Sequence, residues 1–157
     1  MSGHETTRRR FVVAVGSAAA MLAIRDTQAQ MQANPAAFGA AIGKVTGGAE
    51  VKKGKVKLDV PPLSENGNTV ATNVTVESPM TAKDYVKAIH LFAEKNPQPN
   101  IISVHLNPRS GKAAISTRIR LADTQTVTAI AEMSDGSFWQ DTGDVIITLG
   151  ACLEDPV

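Results

Sequence analysis

Ala113-Ala114-Ile115-Ser116-Thr117-Arg118-Ile119-Arg120-Leu121 decides the architecture of this chain. Ala113, Ile115, Thr117, Ile119 and Leu121 occupy alternate positions, while Arg118 and Arg120 share the positions between them. Successive side chains of an extended chain point to opposite faces, so the spacing predicts a strand with one buried and one wet face. The same period of two holds upstream. Val56, Leu58 and Val60 alternate with Lys55, Lys57 and Asp59 until Pro61-Pro62 ends the run. Glu65-Asn66-Gly67-Asn68 has turn chemistry and leads into Val70, Thr72, Val74 and Val76. Ile102, Val104 and Leu106 make another strand, closed by Asn107-Pro108-Arg109-Ser110-Gly111. Downstream, Val127, Ala129, Ala131 and Met133 run up to the hairpin signal Ser134-Asp135-Gly136-Ser137, and Asp144 to Leu149 form the last strand. Six or seven short strands separated by turns predict an all-β fold, an antiparallel β-sandwich.

Two segments depart from that period. Asn34 is an N-cap candidate, Pro35 suits a first helical position, and Gly47-Gly48 stops the run, so a short N-terminal helix is expected. Its apolar stripe of Phe38, Ala41, Ile42 and Val45 is spaced to dock on the same domain. Ala82, Tyr85, Val86, Ile89, Phe92 and Ala93 also fit a helical stripe. A strand buried on both faces reads the same way, so periodicity leaves 85–92 open between helix and strand. Apolar residues on both faces there raise the expectation of sheet surface left for a second chain to cover.

The first thirty residues read as an address. Arg8-Arg9-Arg10 precedes an apolar run from Phe11 to Ile24, shorter than the roughly 20 residues that span a membrane. Thr27-Gln28-Ala29 offers small residues for cleavage, so 1–29 is expected to be a twin-arginine signal peptide that directs export to the periplasm. Residues 30–149 then form one β-sandwich domain and 150–157 a flexible C-terminal arm, with no membrane span after cleavage. The whole chain carries 16 Lys+Arg and 15 Asp+Glu. Cleavage removes Arg8, Arg9, Arg10 and Arg25 with Glu5 and Asp26, which leaves the mature domain at about −1. Such a balance gives no electrostatic reason to bind nucleic acid or an anionic membrane.

Candidate sites are few. Cys152 is the only cysteine, five residues from the C-terminus, so no internal disulfide can form in an oxidising compartment. Gly150 and Ala151 form a slim stalk before it, and Leu153, Glu154, Asp155 and Pro156 follow. At roughly 3.4 Å per extended residue, Cys152 would stand about 10 Å beyond Leu149. An inert buried thiol is the alternative reading of the same residues. His90 and His105 could in principle join Cys152 at a metal or serve it as a base. No close ligand pair of the C-x-x-C or H-x-x-x-H kind exists, and packing or surface roles are expected for both rings. Glu154 and Asp155 would disfavour a thiolate beside them. No catalytic residue, metal ligand or cofactor site is therefore assigned. Arg118 and Arg120 could meet an anion, although solvated strand-face charge is their default. A thiol-disulfide enzyme is disfavoured, because no second cysteine could resolve a mixed disulfide.

Several stretches carry a family resemblance. They are Pro62-Leu63-Ser64-Glu65-Asn66-Gly67, Ser78-Pro79-Met80-Thr81, Asn96-Pro97-Gln98-Pro99, Ser116 to Ala122, and Ser134-Asp135-Gly136-Ser137, followed by the solitary near-terminal cysteine. From about Val51 to Cys152 the chain resembles SoxY, the sulfur-carrying subunit of the bacterial Sox sulfur-oxidising system. The resemblance implies an immunoglobulin-like β-sandwich paired with a SoxZ-like subunit, and favours a strand at 85–92. It implies a non-enzymatic carrier that holds sulfur intermediates, such as those of thiosulfate oxidation, covalently on Cys152 and presents them to Sox-type periplasmic enzymes. Family members that carry thiosulfate-derived sulfur end in Gly-Gly-Cys-Gly-Gly. Here Leu153 and Glu154 replace the following glycines, which is similar to a paralogous branch with an Ala-Ala-Cys-Ile-Glu-like arm. The rival expectation is a periplasmic immunoglobulin-like interaction module whose cysteine carries nothing.

Overall fold

The computed structural model describes residues 34–151. Helix α1 (Pro35–Thr46) begins as its sequence predicts, with the Asn34 side chain accepting from the Ala37 N–H at 3.0 Å and Pro35 at the first helical position. It ends where Gly47 turns left-handed at φ 62° and donates to the Gly43 carbonyl. Nine strands follow: β1 (Val51–Lys53), β2 (Val56–Asp59), β3 (Leu63–Ser64), β4 (Val70–Val76), β5 (Val86–Ala93), β6 (Asn100–His105), β7 (Ala114–Ile119), β8 (Gln125–Met133) and β9 (Phe138–Ile147). Among the described residues no helix is long and apolar enough to cross a membrane.

The strands form a β-sandwich. One sheet runs β1-β9-β8-β5-β6, with β3 also paired to β9, and the other runs β2-β4-β7. The expected antiparallel pairing holds for every pair except β1–β9 and β3–β9, which are parallel. Those two strands are three and two residues long, too short to show a period. Both take the free edge of β9: β3 at Ile146–Ile147, inside the expected Asp144–Leu149 run, and β1 at Phe138–Gln140, in the part by which β9 begins earlier than that run.

The core lies between the sheets. Along β4 the residues Val70, Thr72, Val74 and Val76 are buried and those between them exposed, the alternation read from the sequence. Facing them across the sandwich are Ile89 and Leu91 of β5, Val127, Ala129 and Ala131 of β8, and Val145 and Ile147 of β9.

The segment 85–92 is strand rather than helix, as the resemblance implied and the helical stripe did not. β5 sits between β6 and β8, and only Lys87 of its eight residues is exposed. Its inner residues join the main core. Its outer Phe92 joins a second cluster with Ile130 and Phe138, roofed by Phe38, Ala41, Ile42 and Val45 of α1. The rings of Phe38 and Phe92 meet edge-to-face at 6.4 Å. At the Phe92 end of the Tyr85–Phe92 segment, the apolar surface expected to await a second chain is covered by the chain's own helix. The signal-peptide reading of 1–29 and the arm residues Cys152, Leu153 and Glu154 lie outside the described residues.

Candidate functional site at the root of the C-terminal arm

β9 ends at Ile147, three residues before Gly150, and the chain there is gripped from two sides. On one side, Thr124 beyond β7 brackets the strand end, its hydroxyl accepting from the Ile147 N–H at 2.9 Å and donating to the Ile147 carbonyl at 3.3 Å. On the other, the loop after β3 holds Thr148, whose N–H donates to the Ser64 carbonyl and whose hydroxyl donates to the Glu65 carbonyl, each at 3.2 Å.

Gly67 then bridges the two sides. Its N–H donates to the Leu149 carbonyl at 2.8 Å, and its carbonyl accepts from the Leu121 N–H at 2.8 Å. Leu121 in turn accepts from the Ala151 N–H at 3.0 Å. Strand exit, turn loop and β7–β8 loop thus share one main-chain ring of donors and acceptors. Such a ring needs bare backbone. A Cβ on Gly67 would collide with the Leu121 carbonyl and come within 2.8 Å of the Ala151 nitrogen, and a Cβ on Gly150 would collide with the Ala122 carbonyl. Both glycines are required by close approach of main chains rather than by a left-handed φ.

A further layer braces the β7–β8 loop. Asn96 accepts from the Ala122 N–H at 3.1 Å and donates to the Arg120 carbonyl at 2.9 Å, while Gln125 donates to Asn96 and accepts from the Lys95 N–H. Lys95 also pairs with Asp123 at 3.5 Å. Pro62–Gly67, Asn96 and Arg120–Ala122, taken from three of the stretches that carry the family resemblance, all converge on this one place.

The stalk therefore differs from the expectation. Gly150 and Ala151 were expected to swing with Cys152, and the reach of about 10 Å beyond Leu149 assumed so. Instead both are half-buried and built into the sandwich, because the Leu121 carbonyl accepts from the Ala151 N–H and the bare Gly150 lets the main chain lie against the Ala122 carbonyl. Any free arm starts no earlier than Cys152. Around the exit stand Leu63, Ile146 and Leu149, exposed by 54%, 54% and 66%, the large apolar side chains left open among the described residues. Leu63 and Ile146 are direct partners in the β3–β9 register.

The other candidates fall elsewhere. His90 is buried on the α1 side of β5, its Nδ1 2.8 Å from the Ser103 hydroxyl and its Nε2 without a partner. Burial pushes this imidazole below its ordinary pKa, Glu132 opposes that shift and His105 adds to it. His105 is exposed, with its ring 6.3 Å from that of His90. Among the described residues no three His, Cys, Asp or Glu side chains gather as a metal group. Arg118 and Arg120 are exposed. An open groove of about 410 Å³ lies between α1 and the loop Pro97–Asn100, with Lys44 its one charged side chain.

The family model for the sulfur oxidation protein SoxY matches residues 42–152, so the matched span ends on Cys152. The chain belongs to the SoxY family. Among solved structures, the sulfur carrier protein SoxY from Chlorobium limicola f thiosulfatophilum matches with a TM-score of 0.60 and 20% identity, over 71% of this chain and 92% of that one. The superoxide reductase (neelaredoxin) from Ignicoccus hospitalis matches with a TM-score of 0.54 and 15% identity, over 60% of this chain and 80% of that one. Both likenesses are likenesses of fold, and the second shows that this sandwich is shared with proteins of other chemistry. No curated protein matches the chain. As a SoxY-family chain it places three of the resembling stretches not on a pocket but around the last residue before its only cysteine.

Proposed function

We propose that this SoxY-family protein is a carrier, not an enzyme, and that it holds sulfur-compound intermediates covalently on Cys152. The observation that carries this reading is the family match that runs through the sandwich and ends on that cysteine, next to a stalk fixed by main-chain hydrogen bonds. A carrier needs a thiol that foreign active sites can reach, and no activating base of its own, since each enzyme supplies one. Attachment to a sulfane donor such as thiosulfate forms one S–S bond and releases one proton and two electrons, so the loading enzyme must provide an electron acceptor. Export by the twin-arginine route to the periplasm, pairing with a SoxZ-like subunit and service to Sox-type enzymes belong to the same proposal. A SoxZ-like partner would use a surface other than the outer side of β5 at Phe92, which α1 already roofs. Leu153 and Glu154, where thiosulfate carriers have glycines, and Asp155 after them bring negative charge and bulk to the sequence beside the sulfur and disfavour anionic donors at low salt.

Intact mass of the protein taken from its own periplasm, before and after reduction, tests the reading. The native chain should carry reducible sulfur adducts, and Cys152→Ser should lose all of them. Adducts that survive in the serine variant, or a native chain that never acquires one during sulfur oxidation, would overturn it.

A further inference from the structure

We propose that Gly67 and Gly150 are positioning residues, which lock the chain through Ala151 onto the sandwich and thereby set the place and direction in which Cys152 leaves it. The lock is the ring already described: Gly67 between Leu149 and Leu121, Ala151 on Leu121, and Gly150 backed against Ala122. Hydrogen bonds at both ends of this three-residue stretch, from the Gly67 N–H to the Leu149 carbonyl and from the Ala151 N–H to the Leu121 carbonyl, tie the last residue before the thiol to the body. Consecutive Cα atoms are about 3.8 Å apart, so the Cα of Cys152 can stand no further than that from an anchored point.

A thiol on such a mount differs from one at the end of a long tether. Its stalk is fixed through Ala151, so a docking enzyme need not order that stalk during the encounter. The same mount denies deep entry to the stalk alone. An enzyme that takes in Cys152 must come up to the body at Leu149, Leu63 and Ile146. This use of the lock rests on the carrier reading; the lock itself does not.

Pulsed dipolar spectroscopy on the full chain tests it, with nitroxides on Cys152 and on an Ala114→Cys variant, a site exposed on β7. The expected result is one narrow distance distribution, which Gly67→Ala broadens about twofold or more while the circular dichroism stays that of the folded sandwich. Gly136→Ala, in the remote hairpin at φ 82°, strains the fold elsewhere and should leave the distribution narrow. A broad distribution in the parent, or one that Gly67→Ala leaves unchanged, would overturn the proposal. Native-state hydrogen exchange supplies a second measurement if Gly67→Ala does not fold. The Ala151 and Gly67 amides of the unaltered chain should exchange about 100-fold or more slower than free peptide, and unprotected exchange at Ala151 would equally overturn it. A narrow distribution on a chain whose Cys152 never carries sulfur would leave the lock standing and sink the carrier reading.

Discussion

β5 and the segment Leu149–Ala151 are both extended and both fixed to the sandwich, yet by opposite means. In β5, Ile89, Leu91 and Phe92 are wholly buried, with core on one face and α1 on the other. At the exit, Leu149 is 66% exposed, Gly150 has no side chain, and the hold comes from main-chain donors and acceptors. Side-chain burial is non-directional and grows with apolar area, so it suits an element that must stay put through every conformation short of unfolding. A hydrogen-bonded ring is directional and nets only about 1 kcal/mol per bond, so it sets geometry without adding much stability. The molecule uses the first for its body and the second for the place where its cysteine departs.

The largest expected effect comes from breaking the first kind of hold. Phe92 packs against Phe38, Ile130 and Phe138, and Phe92→Ala removes most of that contact. Cavity formation at such a site costs about 3–5 kcal/mol, readable as a drop in the denaturant midpoint with unchanged slope. A loss below about 1 kcal/mol would mean that α1 does not roof β5 in solution.

Thr124→Val loosens the strand end that leads into the second kind of hold. The near-isosteric change deletes the hydroxyl that brackets Ile147, at a cost of about 1–2 kcal/mol. Exchange of the Ile147 and Ala151 amides should rise more than that of the β4 amides. Equal acceleration throughout would show that the exit opens only with the whole sandwich, and the contrast with β5 would fail.

How much of this was legible in the sequence follows the same divide. β4 and β7 were readable because one face of each is wet, so Val70, Thr72, Val74 and Val76 stand out against exposed neighbours. β5 defeated the period because helix and core bury both of its faces, and only the resemblance pointed to a strand. β1 and β3 are shorter than any period. The lock was invisible because it is made of amide groups, which every residue has. Gly67 read as a turn residue and Gly150 as a flexible stalk, whereas both are glycines because a carbonyl occupies the space of a side chain. The stretches Pro62–Gly67, Asn96–Pro99 and Ser116–Ala122 marked the region without showing that they meet.

The smallest effect concerns the one polar residue whose burial in β5 is incomplete in its bonding. His90 faces Ser103 and His105 on β6 and Glu132 on β8, and its Nε2 is buried without a partner. Burial disfavours the charged ring and holds its pKa below the ordinary value, against the pull of Glu132 and with the push of His105. The unfolded chain therefore binds this proton more readily than the folded one. Stability from the neutral ring is complete above the ordinary value of about 6.5 and is lost as pH falls through that value toward the lowered native one. One proton limits the slope to about 1.4 kcal/mol per pH unit. His90→Gln keeps a hydrogen-bonding group beside Ser103 and removes the titration, so its stability should vary less between about pH 7 and pH 5 than that of the parent. Carboxylates such as Asp135, held low by its bonds from Ser137, titrate in both proteins and cancel in the difference. Parallel curves would mean that His90 takes up its proton equally well folded and unfolded. The outer face of β5 would then be wetter than the packing of α1 implies, and the contrast between a buried strand and a bonded exit would narrow from the side of the strand.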